Sequence, residues 1–303
     1  MPTDNSNSIS KIRGIVSVER VHVTKESIKT VAAAWKNSDY KAKHDVFVYR
    51  IVYMSRGKKI VGYIAEPQTG KKLPCIIVCR GGAKDFSSIN IHNHYAIIPL
   101  ALYGYVTIST QYPGVEGGEG IDRMGSEDDV ASVLDLYKIL KSYSRVDIKN
   151  IGMLGFSRGG AMVYRCLARV RYLKAVVIGS ASVDEVSMAK WRKGWKDYQQ
   201  QTYGGSLHEN KKRSVMYWVE NLAKKTPILI MNGSSDNRVN AEDTLRLLPK
   251  LSQHKIPYRF ILYEGTDHYL GEHKKEFRLE ILRWFDRFIR QKEPLPNVEL
   301  HGK

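Results

Sequence analysis

Ile151-Gly152-Met153-Leu154-Gly155-Phe156-Ser157-Arg158-Gly159-Gly160 decides how the rest of this 303-residue chain is read. An apolar run ends in Gly-x-Ser-x-Gly-Gly, and a helix-like segment, Ala161-Met162-Val163-Tyr164-Arg165-Cys166-Leu167-Ala168, follows it. Strand, sharp turn and helix in that order make a nucleophile elbow. The serine must stand at the tip of a strained turn so that its hydroxyl projects from the sheet edge. Gly155 and Gly159 flank it because side chains there would collide as strand and helix close on each other. The backbone N–H of Arg158, at the start of the helix, is then placed to hold a developing oxyanion.

Outward from the elbow, the chain alternates apolar β-branched runs with helical ones. This is the rhythm of a doubly wound, mostly parallel sheet covered on both faces. Strands are predicted at Leu73–Cys79, Tyr105–Ser109, Ile151–Gly155, Ala175–Ile178, Ile228–Asn232 and Arg259–Tyr263. Helices are predicted at His92–Leu102, Glu127–Tyr143, Gly159–Arg169, Ala241–His254 and Lys274–Arg290. In the last of these, Phe277, Ile281, Trp284, Phe285 and Ile289 recur at helical spacing and form a core stripe. Before this region, Val46–Tyr53 and Ile60–Ala65 flank Ser55-Arg56-Gly57-Lys58 as a β-hairpin. A short strand (Val16–Val23) and a short helix (Ser27–Trp35) precede it. Residues 1–45 therefore read as an N-terminal extension with a disordered start at 1–15, and 46–292 as one catalytic domain. Residues 293–303 read as a loose tail. Between 180 and 225 the rhythm lapses into a helical, cap-like insertion rich in aromatics and cations, among them Trp191, Trp195, Tyr198, Tyr203, Tyr217 and Trp218.

A nucleophilic serine needs a base and an orienting carboxylate, and in this fold class they follow in the order Ser, acid, His. Asp236 falls in the loop after Ile228–Gly233, and His268 in the loop after Phe260–Tyr263. Asp267 is a weaker choice of acid, because neighbours on a loop rarely point at each other. Among the histidines, His254 lies on a helix, His92 and His94 at the start of one, and His273 is the nearest rival of His268. The loop after the first core strand, Val78-Cys79-Arg80-Gly81-Gly82-Ala83, is the place for a second oxyanion donor, the N–H of Gly82 or a neighbour. A plain glycine turn would read the same way. Arg80, Phe156 and Tyr269 are candidate substrate-pocket residues.

These motifs together resemble the α/β-hydrolase catalytic domain of the prolyl oligopeptidase family of serine peptidases, over roughly residues 46–290. The resemblance is carried by Gly62-Tyr63-Ile64-Ala65-Glu66-Pro67, Gly81-Gly82 and Gly155-Phe156-Ser157-Arg158-Gly159-Gly160. It continues in Pro227–Gly233 with Asp236-Asn237-Arg238-Val239, and in Tyr263-Glu264-Gly265-Thr266-Asp267-His268. It implies a triad of Ser157, Asp236 and His268, the residues that spacing also selects. Two departures stand out. Arg80-Gly81-Gly82 replaces the His-Gly-Gly common in the family, which puts a cation at the expected site edge. Only residues 1–45 precede the hydrolase-like region, so a propeller-free relative is expected, and many of those resemble esterases. The expected activity is amide or peptide hydrolysis of a small substrate, with carboxylic ester hydrolysis as the alternative.

The charge balance, 48 Lys and Arg against 31 Asp and Glu for a net +17, leaves a third reading. In it, a non-catalytic hydrolase-fold protein binds an acidic partner through its basic surface. The cations are spread along the chain without a long basic arm or a nucleic-acid motif, so nucleic acid is not expected as a partner. Apolar content of 43% supplies a real core. Cys75 and Cys79 on one strand lie roughly 13 Å apart, too far for a disulfide. Cys166 reads as a small core residue. With no secretory h-region and no stretch long enough to span a bilayer, a cytoplasmic enzyme without membrane, metal or cofactor is expected. Self-association is left open.

Overall fold

A computed structural model describes residues 5–37, 39–42, 45–69, 71–89 and 97–301. The chain divides into two compact units, Met1–Asp122 with Ser126–Met153, and Arg123–Gly125 with Leu154–Lys303.

The first unit holds α1 (Ser6–Ser10), β1 (Ile15–Val21), α2 (Lys25–Ala34), β2 (Val46–Ser55), β3 (Lys58–Pro67) and β4 (Leu73–Cys79). After them come α3 (Ile97–Leu102), β5 (Val106–Thr110), α4 (Glu127–Ser142) and the greater part of β6 (Val146–Phe156). Its strands lie in the order β1-β2-β3-β5-β4-β6. The β2–β3 hairpin is in full register from Val46↔Pro67 to Ser55↔Lys58. Arg56 and Gly57, both at positive φ (48° and 76°), form its two-residue turn, the primed geometry that matches strand twist. β3 pairs antiparallel with β5, and β5 parallel with β4. α4 opens on a capping box between Ser126 and Asp129, with three acidic residues in its first turn facing the positive end of the helix dipole. Val31 of α2 and Ile97, Ile98, Ala101 and Leu102 of α3 pack on Val46, Val48, Val61 and Ala65 of the sheet.

Of the stretch 1–15, expected to be disordered, residues 5–15 are described and include α1 and the first residue of β1. Ile9 is fully buried, and α1 is held by Asn5, whose side chain donates to Glu66 (2.8 Å) and whose backbone N–H donates to the Tyr49 hydroxyl (3.1 Å). Glu66, itself fully buried, also accepts from the Tyr143 hydroxyl at 2.6 Å and pairs with Arg145 at 3.5 Å. A buried carboxylate requires such partners, and one of them is the chain's start. The expected first turn of α3, with His92 and His94, lies outside the described residues.

The second unit contains the end of β6, α5 (Arg158–Leu167), β7 (Leu173–Gly179), α6 (Glu185–Trp191), α7 (Trp195–Tyr203) and α8 (Leu207–Arg213). It continues with β8 (Ile228–Gly233), α9 (Ala241–Gln253), β9 (Tyr258–Tyr263) and α10 (Lys274–Phe285). The strands run β6-β7-β8-β9. β8 is parallel to both β7 and β9, so the carboxyl ends of these three strands lie on one side. The insertion expected at 180–225 is α6, α7, α8 and two 3-10 turns. α10 buries Ile281, Leu282, Trp284 and Phe285 and runs on as a π-helical turn over Asp286–Arg290. The three cysteines are buried and form no disulfide.

Candidate active site

Ser157 sits between the last residue of β6 and the first of α5, at φ 55° and ψ −126°. A non-glycine residue adopts positive φ at a cost, and does so where the surroundings over-determine it. Here the Ser157 N–H donates to the Gly179 carbonyl of β7 (2.8 Å), while its own carbonyl accepts the amides of Gly160 and Ala161. A methyl on Gly155 would lie 2.2 Å from the Gly159 carbonyl oxygen, and one on Gly160 would lie 2.6 Å from Ala181 Cβ. The glycines therefore permit the close crossing of strand and helix that lifts the serine out. Arg158 takes the first position of α5, where amides point out along the helix axis.

Asp236 and His268 come from the loops that follow β8 and β9, and these loops are laced together. The Ser234 N–H donates to Tyr263 O (2.9 Å) and the Ser235 N–H to Thr266 O (3.0 Å). The Gly265 N–H donates to Ser234 Oγ (2.8 Å). Gly233 is pressed against the Thr266 carbonyl, which an added methyl would meet at 2.4 Å. The lacing brings His268 Nδ1 to 2.7 Å from Asp236 Oδ2 and His268 Nε2 to 2.9 Å from Ser157 Oγ. A carboxylate only accepts, so Nδ1 carries the ring proton and Nε2 is left to accept the serine hydroxyl. Asp236 Oδ1 accepts the N–H groups of Arg238 (2.7 Å) and Val239 (2.9 Å). Its carboxylate is fully buried, with every bond pointing it at the imidazole or at its own loop.

The alternative candidates are engaged elsewhere. Asp267 Oδ1 accepts the N–H groups of Tyr269 and Gly271 in its own turn. His273 pairs with Glu276 at the start of α10, and His254 follows the end of α9. Tyr269 stays beside the relay, its ring edge-on to His268 at 5.5 Å and 44% exposed. Two pocket candidates find other work. The Phe156 ring packs on Phe277 of α10 at 5.4 Å and fills the space over Gly179. Arg80, expected as a cation at the site's edge, is 1% exposed. It donates to the carbonyls of Gln111, Gly81, Phe86 and Lys84, lies 3.6 Å from Asp122 and so braces its own loop. In that loop Gly82 has φ +65°, and a methyl there would meet the Phe86 carbonyl at 2.1 Å. The turn alone therefore accounts for this glycine.

Sequence reasoning overlooked one feature of the surroundings. Arg192, at the end of α6, stacks over Trp195 at 4.3 Å and donates to the Arg238 carbonyl at 3.3 Å. Arg238 in turn lies over the Tyr269 ring at 5.1 Å. The signal was Arg238 within Asp-x-Arg-Val together with an insertion that pairs arginine with tryptophan.

Residues 99–292 match the model of the prolyl oligopeptidase family. The chain belongs to that family. It is a serine hydrolase of the peptidase type with an α/β-hydrolase-like fold. It is 26% identical over 229 residues to the uncharacterized peptidase YtmA of Bacillus subtilis (strain 168), a match covering 74% of this chain and 87% of YtmA. It is 24% identical to dipeptidyl-peptidase 5 of Porphyromonas endodontalis over 265 residues, 78% of this chain but 37% of that enzyme. Among solved structures, the acylaminoacyl peptidase of Pyrococcus horikoshii superposes with a TM-score of 0.71 at 16% identity, covering 98% of this chain and 45% of that one. The chain thus spans nearly all of the bacillary relative and less than half of the larger peptidases. Among the described residues, no helix is long and apolar enough to cross a membrane. Nor does any group of three or more His, Cys, Asp or Glu residues stand ready to hold a metal ion.

Proposed function

We propose that the chain hydrolyses an amide or peptide bond of a small substrate through an acyl-enzyme on Ser157. The observation that carries this reading is the unbroken relay Asp236–His268–Ser157, with bonds of 2.7 and 2.9 Å, ending on a serine at strained φ. In the proposed reaction Ser157 Oγ attacks the carbonyl carbon as His268 Nε2 takes its proton. Asp236 fixes the tautomer of the imidazole and stabilises its cation. The backbone N–H of Arg158, at the first position of α5, holds the oxyanion. His268 then passes its proton to the departing amine. Water, activated by the same imidazole, releases the acid and restores Ser157. A module that only binds an acidic partner has no use for a serine held this way. Relatives named as peptidases favour an amide over an ester substrate.

The test is turnover of aminoacyl-p-nitroanilides and p-nitrophenyl esters by the chain and by Ser157→Ala. Loss of ~10⁴-fold to 10⁶-fold in kcat with an unchanged circular dichroism spectrum is expected. Retained turnover in Ser157→Ala refutes the assignment, and turnover of esters alone replaces the amide reading with the ester one.

A further inference from the structure

We infer that Thr266 and Glu272 are positioning residues, a clasp that closes the loop carrying His268 and holds its imidazole between Asp236 and Ser157. The inference rests on the serine-hydrolase reading above. His268 lies in residues 264–273, between the end of β9 and the start of α10, with neither helix nor strand around it. Loops are the more mobile parts of a fold, yet a displacement of about 1 Å at a reacting group costs ~10²-fold in rate. This histidine must therefore be held from both sides.

On the amino-terminal side the hold is the lacing to the loop after β8. Its bond from the Ser235 N–H to Thr266 O (3.0 Å) stops two residues short of His268. On the other side the chain folds back on itself. Asp267 Oδ1 accepts the N–H groups of Tyr269 (2.9 Å) and Gly271 (3.4 Å). The Leu270 N–H donates to Asp267 O and the His273 N–H to Leu270 O, each at 3.1 Å. Leu270 is fully buried at φ 52°, so an apolar side chain anchors the turn in a left-handed conformation. These bonds shape the turn without fixing it to the laced side. The bond from Thr266 Oγ1 to Glu272, six residues on, does fix it, and His268 is caught inside the closed loop.

The chemistry suits that role. Thr266 is fully buried, and an added methyl on Gly233 would meet its carbonyl at 2.4 Å, so it is a fixed post. A buried hydroxyl without an acceptor is costly, and a carboxylate gives it the stronger, charge-assisted kind of bond. The same bond holds the Glu272 carboxyl below the usual carboxylate range. His273, next in the chain, pairs with Glu276 at 2.9 Å and leaves Glu272 to Thr266. Glu272 is exposed, so its truncation loosens the loop and leaves the core packing untouched.

The test compares Glu272→Ala, Thr266→Val, the double variant and Glu272→Gln on an aminoacyl-p-nitroanilide. Glu272→Ala and Thr266→Val should each lose on the order of 10-fold to 100-fold in kcat, with KM within about twofold of the native chain. The urea midpoint of Glu272→Ala should barely move. The double variant should fall no further than either single one, since both changes remove the same bond. Glu272→Gln, whose amide oxygen still accepts the hydroxyl, should recover most of the activity. Native kcat in Glu272→Ala, an equal loss in Glu272→Gln, or multiplied losses in the double variant overturn the clasp while leaving the hydrolase reading intact. So does a loss in Glu272→Ala that comes with a matching fall in the urea midpoint. Should no substrate turn over, the low-field proton resonance of His268 Nδ1 decides, because its bond to Asp236 does not depend on turnover. A resonance present in the native chain, lost in Glu272→Ala and restored in Glu272→Gln supports the clasp even though the hydrolytic reading has failed. Its absence from the native chain, or its persistence in Glu272→Ala, overturns the clasp.

Discussion

Asp236→Asn isolates what the buried carboxylate does for the imidazole. In the native chain Oδ1 accepts two backbone amides, from Arg238 and Val239, and Oδ2 faces His268 Nδ1 at 2.7 Å. An asparagine of the same shape has one oxygen and one NH₂ to share between these positions. Turning its NH₂ toward the amides would oppose donors to donors at two bonds, each worth about 1 to 3 kcal/mol when left unmade in a buried place. The oxygen therefore stays with the loop, and the NH₂ faces Nδ1. The imidazole must then carry its proton on Nε2, the nitrogen meant to accept from Ser157 Oγ. A base in the wrong tautomer costs on the order of 10⁴ in kcat in a serine–histidine–aspartate relay, about 5.4 kcal/mol of barrier at 1.36 kcal/mol per decade. Because both loop bonds survive, unfolding in urea should shift little. The assay is pre-steady-state release of p-nitrophenol alongside a denaturation curve. Activity within tenfold of the native chain, with the fold intact, would refute the tautomer argument and the role given to Asp236.

Gly155→Ala places a methyl 2.2 Å from the Gly159 carbonyl oxygen and 2.8 Å from the Gly160 nitrogen. Those are backbone atoms that cannot swing away, so a loss of about 3 kcal/mol or more is expected in chemical denaturation. Burial pushes the Cys166 thiol up to about 12, so almost no thiolate exists at pH 8. Native protein should resist iodoacetamide at Cys166 while the urea-unfolded chain is alkylated there, as mass spectrometry of the peptides will show. Glu66→Ala removes the buried acceptor shared by Asn5, Tyr143 and Arg145. It should cost about 3 to 5 kcal/mol and release the N-terminal helix to limited proteolysis ahead of the rest.

Much of this architecture was legible because its signals are local. Leu73–Cys79 is an unbroken apolar run and is β4 to the residue, and Arg56-Gly57 names its own turn. The elbow is set by steric demands within six residues. Asp236 and His268 were selected by chain order and by the loops after β8 and β9, and the structure links their side chains to each other and to Ser157 by hydrogen bonds. What was missed depends on partners distant in sequence. Asn5 looks like the start of a frayed end until Glu66 and Tyr49 are beside it. Arg80 looks like a substrate-facing cation until the carbonyls of residues 81–86 and 111 close around its guanidinium. Phe156 follows the same pattern, since only the fold shows Gly179 vacant beneath its ring and Phe277 beside it. Arg192 and Arg238 stand 46 residues apart, and no local pattern joins them.

The reactivity of Ser157 tests the central claim most directly. A fluorophosphonate probe is added to the folded chain, and the labelled peptide is located by mass spectrometry. The relay predicts a single adduct on Ser157, formed within minutes and abolished in His268→Ala. An unlabelled serine in a folded sample, or labelling that survives the loss of His268, would mean that the hydroxyl is not activated by its neighbours and would contradict the account.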